Sequence, residues 1–96
     1  MIIISKSPGI CGACGSKLEV EWDLDLIDYY VKAEGIRNLY ESDVDIVCPE
    51  CGNFISAKLF AAEYPEGVLE NSNVIIEKDE TQKSQIEKPS IAFFDL

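Results

Sequence analysis

The sequence predicts a mainly β fold, made of antiparallel hairpins and followed by a C-terminal extension. Apolar and acidic residues alternate with a period of two from Leu18 to Leu26 and again from Asp43 to Ile46. Two Cys-x-x-Cys-Gly turns interrupt these runs, and Gly, Pro and Asn clusters separate the rest. At 96 residues the chain suffices for one domain with a modest core.

Met1 to Ser5 reads as a short apolar strand, ended by the turn signal Ser7, Pro8, Gly9. In the next run Leu18, Val20, Trp22, Leu24 and Leu26 alternate with Glu19, Glu21, Asp23 and Asp25. One face of that strand is apolar and the other carboxylate, which describes a half-buried antiparallel strand with Trp22 in the core. At Leu26 and Ile27 the alternation slips. Either a β-bulge or a helix capped by Asp25 and stopped by Gly35 accounts for it, and Tyr29, Tyr30 and Val31 favour the bulged strand.

Val44 and Ile46 alternate with Asp43 and Asp45 up to Cys48, and Phe54 to Phe60 follows Cys51, so the second cysteine pair is expected at the tip of a hairpin. Tyr64 to Gly67 forms a turn, and Asn73 to Glu77 a last strand. Lys78 to Ser90 contains one apolar residue, Ile86, too little to offset the entropy of ordering it. The organisation expected is therefore a β domain over 1–77 and, over 78–96, a polar linker with an apolar docking segment. Phe93, Phe94 and Leu96 are its anchors toward a protein partner, with folding back onto the chain's own sheet as the alternative.

Cys11 and Cys14, then Cys48 and Cys51, are all the cysteines present, with 33 residues between the pairs. A two-residue spacer lets one turn of chain present both sulfurs to a metal. Gly15 and Gly52 then permit the positive φ that aims the following N–H groups at the thiolates, and Pro49 stiffens the second turn. Four sulfurs in a tetrahedral set select Zn²⁺ or iron over hard cations. A redox pair would leave the second motif unexplained, and a disulfide framework needs a secretory context.

On Cys11, Cys14, Gly15, Cys48, Pro49, Cys51 and Gly52, the stretch from Pro8 to Leu59 resembles the zinc ribbons. The resemblance implies two knuckles on β-hairpins around one structural Zn²⁺, and it says little about function, since zinc ribbons serve as transcription and translation factors, polymerase subunits and adaptors. Rubredoxins share the cysteine pattern around iron. Where they carry aromatic residues after the first knuckle and an Asp-Trp before the second, this chain has Ser16, Lys17, Leu18 and Ile46, Val47.

The chain has no histidine, which removes Ser-His and Cys-His nucleophile systems and His-bearing hydrolytic metal sites. With four sulfurs on the metal, no coordination position is left for water, and a nonenzymatic role is expected. The carboxylate pairs Asp23 with Asp25 and Asp43 with Asp45 read as solvated strand faces. The formal charge is −10, and the eight basic residues are scattered singly, so direct nucleic-acid and membrane binding are not expected. Tyr29, Tyr30 and Tyr40 lack the basic neighbours that base stacking needs, and read as packing or protein contacts. The chain is expected to be cytoplasmic and to act as an interaction or assembly subunit on a protein partner, within a larger assembly. The alternatives are an accessory or inhibitory factor of transcription or replication machinery whose acidity imitates nucleic acid, and a rubredoxin-like iron carrier.

Overall fold

A computed structural model of the chain describes residues 2–93, and these form nine strands and no helix. In chain order they are β1 (Ile2–Ile4), β2 (Ser7–Ile10), β3 (Lys17–Val20), β4 (Asp25–Lys32), β5 (Gly35–Val47), β6 (Phe54–Glu63), β7 (Leu69–Asp79), β8 (Gln85–Ile86) and β9 (Ile91–Phe93). They pair antiparallel into three sheets, ordered β1-β9, β3-β2-β8 and β4-β5-β6-β7. The mainly β reading holds. The shape is a rod of 49 × 22 × 15 Å, because β5 alone runs about 40 Å at the usual rise of a strand.

The core lies where the two short sheets cover the knuckle half of the long sheet. On β6, Ile55, Ala57 and Leu59 recur every second residue and are fully buried, since a strand sends alternate side chains to one face. Leu18, Val20 and Trp22 from the first hairpin close over them, with Val44, Ile46, Val74, Ile76, Ile86, Ile4 and Ile91 around the margin. Trp22 is 7% exposed, in the core as its place in the alternation predicted, and its indole N–H donates to the Ser7 hydroxyl at 2.7 Å. A second link ties the hairpin to β5, where the Asp23 N–H donates to Ser42 Oγ at 2.9 Å.

The run from Leu18 to Leu26 is not one strand. After Val20 the chain leaves β2, crosses at Trp22 to Leu24, and joins the edge of the other sheet as β4. Leu26, expected on the buried face, is 53% exposed. Period two specifies which side chains share a face, but it carries no mark of the point where the strand changes neighbours. From Asp25 to Lys32 the chain is strand, with its register against β5 slipping between Leu26 and Asp28, where the alternation slips.

Two other expectations are corrected. Pro8 and Gly9 do not end a strand but lie inside β2; a Cβ on Gly9 would stand 2.9 Å from the Gln85 carbonyl, so glycine is what lets β8 approach. The last strand predicted, Asn73 to Glu77, extends to Leu69–Asp79. The Tyr64 to Gly67 turn is present, closed by the Tyr64 N–H on the Val68 carbonyl at 2.9 Å. Glu63 anchors it: its buried carboxylate accepts from Gly67 N at 2.7 Å, Asn38 Nδ2 at 3.0 Å and Tyr40 Oη at 2.9 Å. Burial acts to raise the Glu63 pKa, but those three donors outweigh it and the net shift is downward.

The segment after Asp79 is held, although its composition predicts disorder. Hydrogen bonds from partners distant in sequence supply what its few apolar side chains do not. The Glu87 N–H donates to the Pro8 carbonyl at 3.0 Å, the Ser5 N–H to the Ser90 carbonyl at 2.9 Å, and the Ser90 N–H to Ser5 Oγ at 2.8 Å. β9 then pairs with β1, and the Phe93 ring lies 5.5 Å from that of Tyr40.

Candidate metal centre

Each cysteine pair sits in the loop of an antiparallel hairpin, the first between β2 and β3 and the second between β5 and β6. The two loops have the same backbone. Gly15 N–H donates to the Cys11 carbonyl and Gly52 N–H to the Cys48 carbonyl, both at 2.8 Å; Cys11 N–H bonds the Ser16 carbonyl and Cys48 N–H the Asn53 carbonyl, both at 2.9 Å. Gly15 and Gly52 share a φ of 76°, the left-handed conformation their position predicted.

The four sulfurs converge, all lying within 4.8 Å of one another. Cys11 Sγ is 3.6 Å from Cys51 Sγ, and Cys14 Sγ is 3.6 Å from Cys48 Sγ. A disulfide needs about 2.05 Å, whereas a tetrahedral ion with bonds of about 2.3 Å spaces its sulfurs by about 3.8 Å. The spacing fits a metal and not a bond between cysteines. Cys11 and Cys48 are buried among Leu18 and Ile55, while Cys14 and Cys51 lie on the solvent side of the cluster, so the site is half embedded in the core.

The electrostatics of the cluster call for a cation. Burial acts to raise Cys11, but the Cys14 and Ala13 N–H groups and the neighbouring sulfurs bring it down to about 6. Cys14 is lowered by the Ser16 hydroxyl, 3.1 Å away, and by the Ser16 N–H. Cys51 goes the other way: the Asn53 N–H acts to lower it, yet burial and the other three sulfurs push it up to about 12. The first thiols ionise readily and the last resists, as expected when like charges accumulate in one place. A divalent cation would remove that penalty.

A polar clasp, not visible in the sequence, closes over the site. Asn53 Nδ2 lies 3.8 Å from Cys11 Sγ and donates to Asp79 Oδ1 at 3.0 Å. The Asp79 carboxylate also accepts from Thr81 N and Oγ1 and from Ser84 N, folding residues 79–84 into a turn. Ser84 Oγ in turn accepts the Gly12 N–H at 2.8 Å. The turn thus touches both knuckles. It packs so closely that a Cβ on Gly12 would meet Thr81 and stand 2.5 Å from the Ser84 nitrogen. Burial acts to raise the Asp79 pKa, but the donors, Asn53 first, hold the carboxyl well below the usual range.

Asp79→Ala is expected to release the turn and leave Asn53 free to rotate off the sulfur. Partners behind metal ligands typically change affinity by about 10 to 100-fold, and a competition titration with a chromophoric chelator should show a loss of that size. Unchanged affinity would make the turn packing alone.

Of the other residues singled out by sequence, Asp23, Asp25, Asp43 and Asp45 are exposed, as solvated strand faces should be. Lys58 bonds Glu41 at 3.0 Å and lies 3.5 Å from Asp43. Tyr40 packs and donates within the chain, and Phe93 sits against it. Phe94 and Leu96 lie outside the described residues. The chain's cysteine geometry fits a zinc-ribbon-like metal site. Comparison with protein-family models, with curated proteins and with solved structures gave no match.

Proposed function

We propose that the chain is a nonenzymatic interaction or assembly subunit, in which one structural Zn²⁺ on Cys11, Cys14, Cys48 and Cys51 holds a β scaffold that presents acidic surface to a protein partner. The observation that carries this reading is the closed donor set: every cysteine points into one cluster and no histidine exists to open it. Bound there, the metal would supply cross-linking and charge neutralisation. The 18 acidic residues outnumber the basic ones by ten, which favours a partner with a basic face.

Affinity capture of the native, metal-loaded protein tests this, with bound proteins identified at low and high salt. A basic partner retained at low salt and released at high salt is the expected result. If that partner is a DNA-binding enzyme whose activity falls on binding, the nucleic-acid-mimic reading gains. A monomer with no partner counts against the proposal, and red protein that bleaches on reduction makes it an iron carrier instead.

A further inference from the structure

At the end of the rod away from the knuckles, β4 forms the edge of the four-stranded sheet and is exposed along all eight of its residues. Val31 is 77% exposed, Tyr29 59%, Tyr30 48%, and Leu26 and Ile27 53% each. An exposed apolar edge strand carries a row of unpaired N–H and C=O groups, and folded proteins usually blunt or cover one. Here the bulge at Ile27 blunts only its start. From Asp28 to Lys32 the register with β5 is regular.

We propose that a second copy of this chain covers β4, through antiparallel β4 to β4 pairing about a two-fold axis at Tyr30. The hydrogen-bonding direction of a strand alternates, so which residues face the free edge is fixed. The Tyr29 N–H points away from β5, onto its neighbour's carboxylate, Asp28 Oδ1, at 2.8 Å, and pairing exchanges that acceptor for a carbonyl of the second copy while freeing the carboxylate. Val31, two residues on, shares that direction. Opposite residues in an antiparallel pair must both offer their groups to each other, which restricts self-pairing to registers that match odd positions with odd.

Among those registers one is complementary throughout. It sets Tyr29 against Val31 twice on one face, an aromatic to β-branched match that stabilises sheets. On the other face Tyr30 meets Tyr30 and is flanked on both sides by Asp28 against Lys32. These fall at the non-hydrogen-bonded positions, where side chains approach most closely. Shifting the register one way sets Lys32 against Leu26 beyond the bulge, and shifting it the other way sets Asp28 against Glu34. The stretch Asp28 to Lys32 has no net charge of its own, and the Debye length of about 8 Å at physiological salt screens the rest of the two acidic copies. Self-pairing would give one continuous eight-stranded sheet, with a metal site at each far end. Pairing of this kind is independent of the acidic-surface partner argued above.

Sedimentation of the metal-loaded full chain over a concentration series tests the pairing. The wild type should form a reversible dimer. In Asp28→Lys or Lys32→Asp each symmetric contact sets like charges together, and the dimer dissociation constant should rise about tenfold or more. Both changes also disturb local contacts, since Asp28 accepts from Tyr29 N and Tyr30 Oη and Lys32 Nζ lies 5.2 Å from the Tyr64 ring centroid. Mixing the two variants separates these effects, because D28K beside K32D restores both opposite-charge contacts and should restore the dimer. A wild type that stays monomeric overturns the proposal, as does a mixture that fails to pair or a different protein found on β4 while the chain itself remains single.

Discussion

Cys48→Ser should abolish the cooperative unfolding transition of the whole hairpin pair, because it removes a ligand of the ion proposed to join the two knuckles. Metal binding of this kind contributes on the order of 10 to 16 kcal/mol in small zinc peptides, comparable with or larger than the roughly 5 to 15 kcal/mol net stability of a whole domain. The site is continuous with the core: Cys48 is 1% exposed and Cys11 fully buried, in one cluster with Leu18 and Ile55. Serine at position 48 thus loses a ligand and also places a hydroxyl among apolar side chains. Cys14→Ser loses a ligand at an exposed position only, and is expected to bind metal weakly and fold when metal is in excess. Thermal circular dichroism of both variants, with metal content determined in parallel, checks this order. A Cys48→Ser protein that melts with the wild type would remove the metal from the account of stability.

The next largest effect is expected at Trp22. Truncating a buried tryptophan to alanine costs about 3 to 5 kcal/mol, and here it also leaves the fully buried Ser7 hydroxyl without its donor. With Leu18 and Val20, Trp22 fastens the first hairpin to the long sheet as the chain passes from one to the other. Chemical denaturation of Trp22→Ala, with metal saturating, should show a loss of that order. Trp22→Phe keeps most of the packing and leaves the buried Ser7 hydroxyl without its donor, for about 1 to 3 kcal/mol. Equal losses in the two variants would assign Trp22's role to the hydrogen bond instead of the packing.

What could be read from the sequence divides along physical lines. The knuckles were legible because a metal site written as two short motifs needs no knowledge of the fold, and the glycine after each second cysteine stated its conformation in advance. Strand faces were legible wherever apolar and acidic residues alternate, and Trp22 was placed in the core on that pattern alone. Leu26 continues the same pattern and is nevertheless exposed, because alternation continues unchanged while the chain trades one sheet for another. The clasp at Asp79 could not be read. Its residues are polar and scattered, and their partners come from far away, Gly12 lying 72 residues before Ser84. An Asp followed two residues later by Thr hints at a local turn, but nothing in those residues shows that the turn closes on a cysteine knuckle. The same holds for Phe93, whose fit against Tyr40 depends on β9 returning to pair with β1.

The function proposed above requires that four thiolates bind one metal ion on which the fold depends. Titrating the reduced, metal-free chain with Co²⁺ tests it most directly, by following sulfur-to-cobalt charge transfer and ligand-field absorption together with β-sheet circular dichroism. Intense tetrahedral bands should saturate at one ion per chain, rise in step with the β signal, and vanish on adding Zn²⁺. Weak octahedral bands, an endpoint other than one, or a β signal already complete before metal is added would contradict it.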